Sequence, residues 1–315
     1  MKMTSFLTLL LAVLIVPGAA DLAAADTFGN GANVFDIEFV TIGNPGNVAD
    51  TMGKPNPAGS VPRTYRIAKF EISEQMIDKA NTLGGLEITK DTRGENKPAT
   101  SITWFEAAKF INWLNTSTGR MPAYKFIGED FDVWSPGDSG YDATNPYRNG
   151  FARYFLPDVN EWYKAAYYNP ISGDYFEFAT GSNSAPTSVA QSVAPNTAVF
   201  GQVLATGPAN VTQAGGLSAY GTMGQIGNVF EWEETENDLT NDSPSAFRGI
   251  RGPNWFSTSG NSVFLSSSSR SFFNPMEEAI GIGFRVASIP EPSTLALLGM
   301  GFVGALGLLP RRRAR

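Results

Sequence analysis

The chain has no cysteine and no histidine among its 315 residues. Without cysteine it cannot form disulfides, a thiolate nucleophile, or zinc-thiolate and iron–sulfur sites. Without histidine it lacks Ser-His-Asp and Cys-His catalysis, the imidazole metal ligand and the near-neutral proton shuttle. We therefore expect no zinc and no haem. The oxygen donors that remain suit a hard ion such as calcium.

The first twenty residues predict a secretory signal peptide. Lys2 supplies the positive start, residues 6–16 form an apolar run, and residues 17–20 provide small side chains for cleavage by signal peptidase. A second candidate cut follows residues 23–25, so the cleavage site could be as late as residue 25. A buried N-terminal helix is the alternative interpretation, but it does not explain the order of these three features.

The C-terminal end, residues 289–315, has three parts in a fixed order. Pro290, Glu291 and Pro292 precede an uncharged stretch over residues 293–309, and an arginine cluster follows at residues 311–315. The uncharged stretch is just long enough to span a bilayer core, with the arginines on the cytoplasmic side. This arrangement resembles the PEP-CTERM sorting signal of Gram-negative bacteria, which an exosortase cuts near Pro-Glu-Pro. The resemblance implies a transient inner-membrane anchor, whereas a permanent C-terminal anchor is the alternative.

Loss of both end segments makes the mature body strongly acidic. The chain holds 23 Lys and Arg against 30 Asp and Glu, and five of the basic residues lie in residues 1–20 and 293–315, which contain no acid. The remaining 18 basic and 30 acidic residues give a formal charge of −12. Such a surface repels phosphate backbones, so we expect no nucleic-acid partner.

Residues 26–288 are predicted to form one domain, in which three helix N-termini can be recognised. Ser73 can cap a helix that runs to about residue 80. Thr103 with Glu106 and Asp158 with Glu161 each form a capping box ahead of apolar residues at helical spacing. The aromatic residues of these helices are expected to lie in the core.

Short strands are predicted at residues 35–42, 65–72 and 281–287. Because they lie at opposite ends of the domain, pairing them would bring both ends into one sheet. An acidic stretch between them is predicted to be a solvated loop, with a calcium role as the alternative, although its spacing does not match an EF-hand. Its members are Glu233, Glu234, Glu236, Asp238 and Asp242.

Seven segments occur in an order that resembles the sulfatase-modifying factor, or formylglycine-generating enzyme, family. They are residues 39–43, 65–73, 98–108, 155–162, 227–232, 251–255 and 283–287. Each segment alone is a weak signal, but seven in this order cover nearly the whole mature body. The resemblance implies an α+β fold, irregular and related to C-type lectins, with short strands, few helices and little regular secondary structure.

The enzymes of that family oxidise a sulfatase cysteine with copper held by two cysteines of their own. Carrying the pattern forward from Trp255 places Ser257 and Ser262 at those two positions. A serine hydroxyl stays protonated near neutral pH and cannot replace a thiolate on Cu(I), so we expect no copper and no oxidase activity. We therefore assign no catalytic residues. Arg285 is as well suited to a structural role as to a functional one. The candidate ligand groove comprises Asn254, Trp255, Ser257, Ser262 and Arg270.

The family also carries calcium, and the resemblance places its ligands on this chain at the backbone oxygens of Gly227 and Val229 and the carboxylate of Glu231. Gly224 stands where the enzymes usually supply an Asn side chain, so one ligand is missing. If no ion binds, Glu231 needs a basic or backbone partner, because a lone buried carboxylate is costly.

These observations predict an exported, non-catalytic recognition or structural module, sorted to the cell envelope, the outer surface or the extracellular matrix of a Gram-negative bacterium. The expected partners are signal peptidase, an exosortase, the membrane through the C-terminal segment, and a glycan or peptide ligand. Two alternatives remain open. One is a divergent modifying enzyme that uses acid–base groups such as Glu277 and Glu278. The other is an inactive partner that holds sulfatases for another enzyme.

Overall fold

A computed structural model describes residues 24–258 and 262–290, with side chains described for all of these except 262 and 263. The helices are α1 (Glu74–Gly84), α2 (Trp104–Thr116) and α3 (Val159–Tyr167). The strands are β1 (Ala24–Phe28), β2 (Phe35–Ile42), β3 (Tyr65–Ala68), β4 (Lys125–Ile127), β5 (Asp130–Asp132), β6 (Tyr154–Phe155), β7 (Thr187–Ser188), β8 (Thr197–Ala198), β9 (Phe230–Glu236), β10 (Arg248–Arg251), β11 (Ser271–Phe273), β12 (Ile282–Gly283) and β13 (Ala287–Ser288). Most strands are short, which confirms the irregular α+β class.

All three helices begin at the predicted caps. The Ser73 hydroxyl accepts a hydrogen bond from the backbone N–H of Met76 and starts α1. Thr103 and Asp158 start α2 and α3, and both capping boxes are complete. Each capping contact spans only three residues, so the local sequence is sufficient to predict it.

Two sheets organise the body, and the end of the chain joins the first of them. The five-stranded sheet has the order β1-β2-β3-β13-β6, and the four-stranded sheet has the order β11-β10-β9-β12. Strand β13 pairs antiparallel with both β3 and β6, which confirms that the two ends of the domain share one sheet.

Two predicted strands are shorter than expected. Residues 65–72 form a regular strand only as far as Ala68, and residues 281–287 divide into β12 and β13. The division arises because the chain crosses from the second sheet to the first between these two strands. Backbone bonds from Ala68 to Val286 and from Ile72 to Phe284 continue the contact without regular strand geometry.

The core consists largely of aromatic side chains gathered around α2. Trp104 is fully buried, and its ring lies edge-on to those of Tyr124 and Phe131. At the other end of the helix, Phe110 and Trp113 stack on Phe35 of β2. This packing fixes α2 against the first sheet and so positions the strands that carry the charged residues described below.

The prediction of a solvated acidic loop is wrong for three of its five residues. Glu233, Glu234 and Glu236 belong to strand β9 and are buried. The partners that make this burial tolerable come from distant parts of the sequence. No local pattern could therefore reveal them.

The predicted signal peptide and the predicted span at residues 293–309 lie outside the described residues. Within the described part of the chain, no helix combines the length and apolarity needed to cross a bilayer. Strand β1 begins at Ala24, so a cut after residue 25 would remove its first two residues.

Thr103→Ala should destabilise the fold by about 1 kcal/mol, because it removes the hydroxyl that caps α2. Thr103→Ser retains that hydroxyl and should stay close to the parent. Urea unfolding midpoints of the three proteins test this expectation. An equal loss in both variants would show that the methyl group, rather than the cap, is responsible.

Candidate functional site

A buried ion pair between Glu231 and Arg285 lies where the two sheets meet. The guanidinium donates from Nε to Glu231 Oε2 at 2.6 Å and from Nη2 to Oε1 at 2.5 Å, and both side chains are fully buried. Trp162 on α3 donates its indole N–H to the same Oε2 at 2.7 Å. The carboxylate of Glu231 is therefore held by two groups, from β12–β13 and from α3.

Arg285 uses its remaining donors on backbone carbonyls of other segments. Nη1 donates to the oxygens of Ala68 and Lys69, and Nη2 also donates to that of Met223. One side chain thus links β3, β9 and the loop that precedes β9. These contacts show that Arg285 helps to hold the fold together.

A second buried carboxylate, Glu71, lies beside this pair. Its Oε1 accepts a hydrogen bond from Asn228 Nδ2 at 2.9 Å, whereas its Oε2 has no partner among the described residues. Burial, and next the negative charge of Glu231, raise the pKa of Glu71 from the usual 4.5 to about 8. Glu71 is therefore mostly protonated near neutral pH.

Gly224 is required by the position of Glu71. A Cβ at residue 224 would lie 2.5 Å from Glu71 Oε1, and the backbone there has φ +82, which glycine adopts readily. The carboxyl of Glu71 thus occupies the space that a side chain at position 224 would need.

The other carboxylates of β9 also have buried partners. Glu233 pairs with Arg251 at 2.5 Å and with Arg270 at 2.8 Å. Glu234 pairs with Arg148 at 2.6 Å. The last of the row, Glu236, accepts from the Tyr147 hydroxyl and from the backbone N–H groups of residues 242 and 243.

The predicted calcium ligands, as arranged here, do not fit an ion by themselves. Gly227 and Val229 can offer only backbone oxygens, and both oxygens of Glu231 already accept bonds from Arg285 and Trp162. In the described residues, no group of three or more acidic side chains is arranged to hold a metal. Glu231 has the basic partner that it would need without an ion, and calcium binding stays a prediction.

The predicted groove residues are mostly engaged within the protein. Asn254 and the fully buried Trp255 lie inside, and the Trp255 indole N–H donates to the backbone oxygen of Leu204 at 3.2 Å. The Ser257 hydroxyl is half-buried and donates to Asn254 Oδ1 at 2.8 Å. Ser262 begins a short 3-10 helix, Ser262–Leu265, and its side chain is not among those that the structure describes.

Arg270 is the remaining predicted groove residue. Besides its pair with Glu233, it donates to the backbone oxygens of Asn237 and Glu236. The Arg270 guanidinium is therefore engaged by partners within the protein. The structure therefore brings Asn254 and Ser257 together but places Arg270 in a separate ion-pair cluster.

An open cleft of about 800 Å³ is a feature that the sequence analysis did not predict. Two loops meet there, at residues 48–52 and 173–177, with Asn183 and Ser267 completing the wall. Its described lining residues include three carboxylates, from Asp50, Asp174 and Glu177, and no basic side chain. Because the loops are more than 100 residues apart in sequence, no local motif predicts the cleft.

The model of the family "Sulfatase-modifying factor enzyme 1-like domain" matches residues 38–289. The chain belongs to this family. A model of the PEP-CTERM protein-sorting motif matches residues 288–313, so this member of the sulfatase-modifying factor family carries a sorting signal read by an exosortase. No curated protein matches the sequence.

Solved structures share the fold of this sulfatase-modifying factor protein at low identity. Treponema denticola variable protein 1 is 18% identical with a TM-score of 0.56, covering 84% of this chain and 99% of its own. CarF is 17% identical with a TM-score of 0.56, covering 81% and 99%. PvdO from Pseudomonas aeruginosa is 18% identical with a TM-score of 0.53, covering 84% and 98%. These likenesses show the formylglycine-generating-enzyme fold.

Glu231→Gln should destabilise the protein by about 3–5 kcal/mol, because it leaves the buried Arg285 without its countercharge. We expect this loss in chelator-treated protein, measured by urea unfolding. Glu277→Gln, at an exposed position, should have little effect. A loss that appears only when calcium is present would instead assign Glu231 to an ion.

Glu71 should make the protein less stable as the pH rises. Because its pKa is higher in the folded state, the folded protein binds more protons than the unfolded chain between pH 4.5 and about 8, and stability falls across this window. Glu71→Gln can still accept the bond from Asn228 but has no proton to lose. Its unfolding free energy should therefore vary less with pH than that of the parent, and parallel curves would contradict the assignment.

Proposed function

We propose that this protein is a non-catalytic recognition or structural module, displayed at the outer surface or in the extracellular matrix of a Gram-negative bacterium. The sorting motif supports export to the envelope through an exosortase. The finer location and the absence of catalysis are the parts of the proposal that need testing.

One observation carries the non-catalytic assignment: the chain has no cysteine, and the family resemblance implies Ser257 and Ser262 at the two copper-cysteine positions. The hydroxyl of Ser257 donates to the Asn254 side chain and accepts from the Asn254 backbone N–H at 3.2 Å. It closes a local turn, and as a protonated hard oxygen it does not supply the soft thiolate that Cu(I) needs.

The buried charges support the same conclusion for the interior of the protein. An acid–base enzyme needs a carboxylate or a lysine that can reach its substrate. The buried carboxylates of β9 are instead paired with arginines or bonded to backbone N–H groups. Glu277 and Glu278 are exposed rather than enclosed in a cavity.

The open cleft supports a recognition role, because it offers room for part of a glycan or a peptide. Tyr175 and Phe176 provide ring surfaces for stacking, and Asp50 is held in place by the hydroxyl of Tyr163 at 2.6 Å. Carboxylates beside aromatic rings are a common way to bind polar, planar or ring-shaped groups.

The purified mature protein, supplied with Cu(I) and oxygen, should not convert the cysteine of a sulfatase peptide to formylglycine. Mass spectrometry of the peptide measures the conversion, and an active formylglycine-generating enzyme serves as the positive control. Any conversion above a no-protein blank would show that the protein is a divergent modifying enzyme.

Binding is tested with a panel of bacterial exopolysaccharide fragments and sulfatase peptides. We expect at least one member to bind, and Phe176→Ala to weaken that binding several-fold. Phe272→Ala, at an exposed position on β11, serves as the matched control. Equal effects of both substitutions would place the ligand elsewhere, and a panel without any binder would favour a structural role.

A further inference from the structure

The chain leaves the folded body from the interior of a sheet. Strand β13 lies between β3 and β6, and the backbone N–H of Ile289 donates to the oxygen of Arg153 at 3.0 Å. The antiparallel pairing is therefore fixed up to residue 289, one residue before the sorting motif's Pro290. The folded body and the sorting motif have no flexible linker between them.

The tether to the membrane is consequently short. This step rests on the proposed export through an exosortase and on the transient inner-membrane anchor predicted from the sequence, in which residues 293–309 span the membrane before cleavage. Four residue steps from Ile289 to residue 293 reach at most about 14 Å. The polar headgroup layer is itself roughly 5–8 Å thick on each side of the hydrocarbon core. The body surface around Ile289 must therefore lie at or very near the headgroups.

That surface is apolar rather than basic. Ile289 is 40% exposed, and Phe151 is 65% exposed, which is unusual for so large an aromatic side chain. Because β6 and β13 are antiparallel, Phe151 lies two residues beyond Arg153 in the direction in which the chain leaves the sheet. The exposed ring thus flanks the exit point.

The charged groups nearby are mixed in sign: the Arg63 side chain is 44% exposed, and the exposed Arg120 interacts electrostatically with Arg153. Arg153 pairs with Asp26 at 3.1 Å, and Arg63 pairs with the buried Glu161 at 2.6 Å. Asp142, which lines the same small cleft as Arg63 and Ile289, is exposed and negative. Because the arginines nearest the exit point are paired with acids, we infer that apolar insertion is the main membrane contact here, and aromatic rings favour the membrane–water interface.

We propose that Phe151 and Ile289 form a lipid-docking surface that seats in the interfacial layer of the inner membrane while the sorting segment is uncleaved. The contact sets the orientation of the body, with the Pro-Glu-Pro motif held at the membrane surface where a membrane-embedded exosortase can reach it. Cleavage removes the tether, and a single exposed aromatic residue is too small an anchor to keep the acidic body on the membrane.

The absence of cysteine makes a direct test possible, because one introduced thiol is the only labelling site. Phe151→Cys and the control Phe272→Cys are labelled with an environment-sensitive fluorophore in the full chain. Both are reconstituted in vesicles of phosphatidylethanolamine and phosphatidylglycerol. We expect blue-shifted emission and several-fold stronger quenching by lipid-attached nitroxide at position 151 only. Thermal melting checks that both variants fold.

A longer tether provides the second arm. A flexible Gly-Ser insert between Pro290 and Glu291 should abolish the lipid signal at position 151, while the chain still resists carbonate extraction. Extraction of the parent chain would refute the predicted transient membrane anchor, on which the docking surface depends. A chain that resists extraction but has equal signals at positions 151 and 272 would refute the docking surface alone. A blue shift at position 151 that appears only with added exosortase would show that the surface contacts that protein. It would also overturn the lipid proposal.

Discussion

The ion pair between Glu231 and Arg285 is the contact on which the arrangement of the two sheets depends. Removing two charges from water costs several kcal/mol per ion unless geometry and additional hydrogen bonds compensate. Here the carboxylate accepts three hydrogen bonds. The guanidinium also donates to backbone oxygens of β3 and of the loop before β9. Neither residue can be buried without the other, so the pair fixes the position of β9 relative to the first sheet.

The same constraint explains the unusual composition of β9. Four of its seven residues are glutamates, and all four are buried. A strand of this kind is stable only if arginines and polar groups approach it from both faces, as Arg148, Arg251 and Arg285 do. The interior charges therefore serve the fold. Groups able to meet a ligand lie on the surface loops instead, which is where folds commonly place recognition.

Glu71 is the point at which this network is incomplete. It lies against Gly224, next to a carboxylate already neutralised by an arginine, and it keeps a proton where an ion pair would otherwise be needed. A buried carboxyl with one unpartnered oxygen reduces stability unless it is protonated. The proton thus completes the electrostatics of this region.

The sequence by itself determined what depends on neighbouring residues and on composition. The three helix caps, strand β2, the seven ordered family segments and the sorting motif all rest on contacts or patterns within a few residues, and the absence of thiols needs no structure. Only the tertiary structure decided which charged residues are buried and what they pair with. Glu231 and Arg285 are 54 positions apart, and Glu71 and Asn228 are 157 apart. An acidic run looks solvated when its partners are distant, because burial of a charge is decided by what the fold brings beside it.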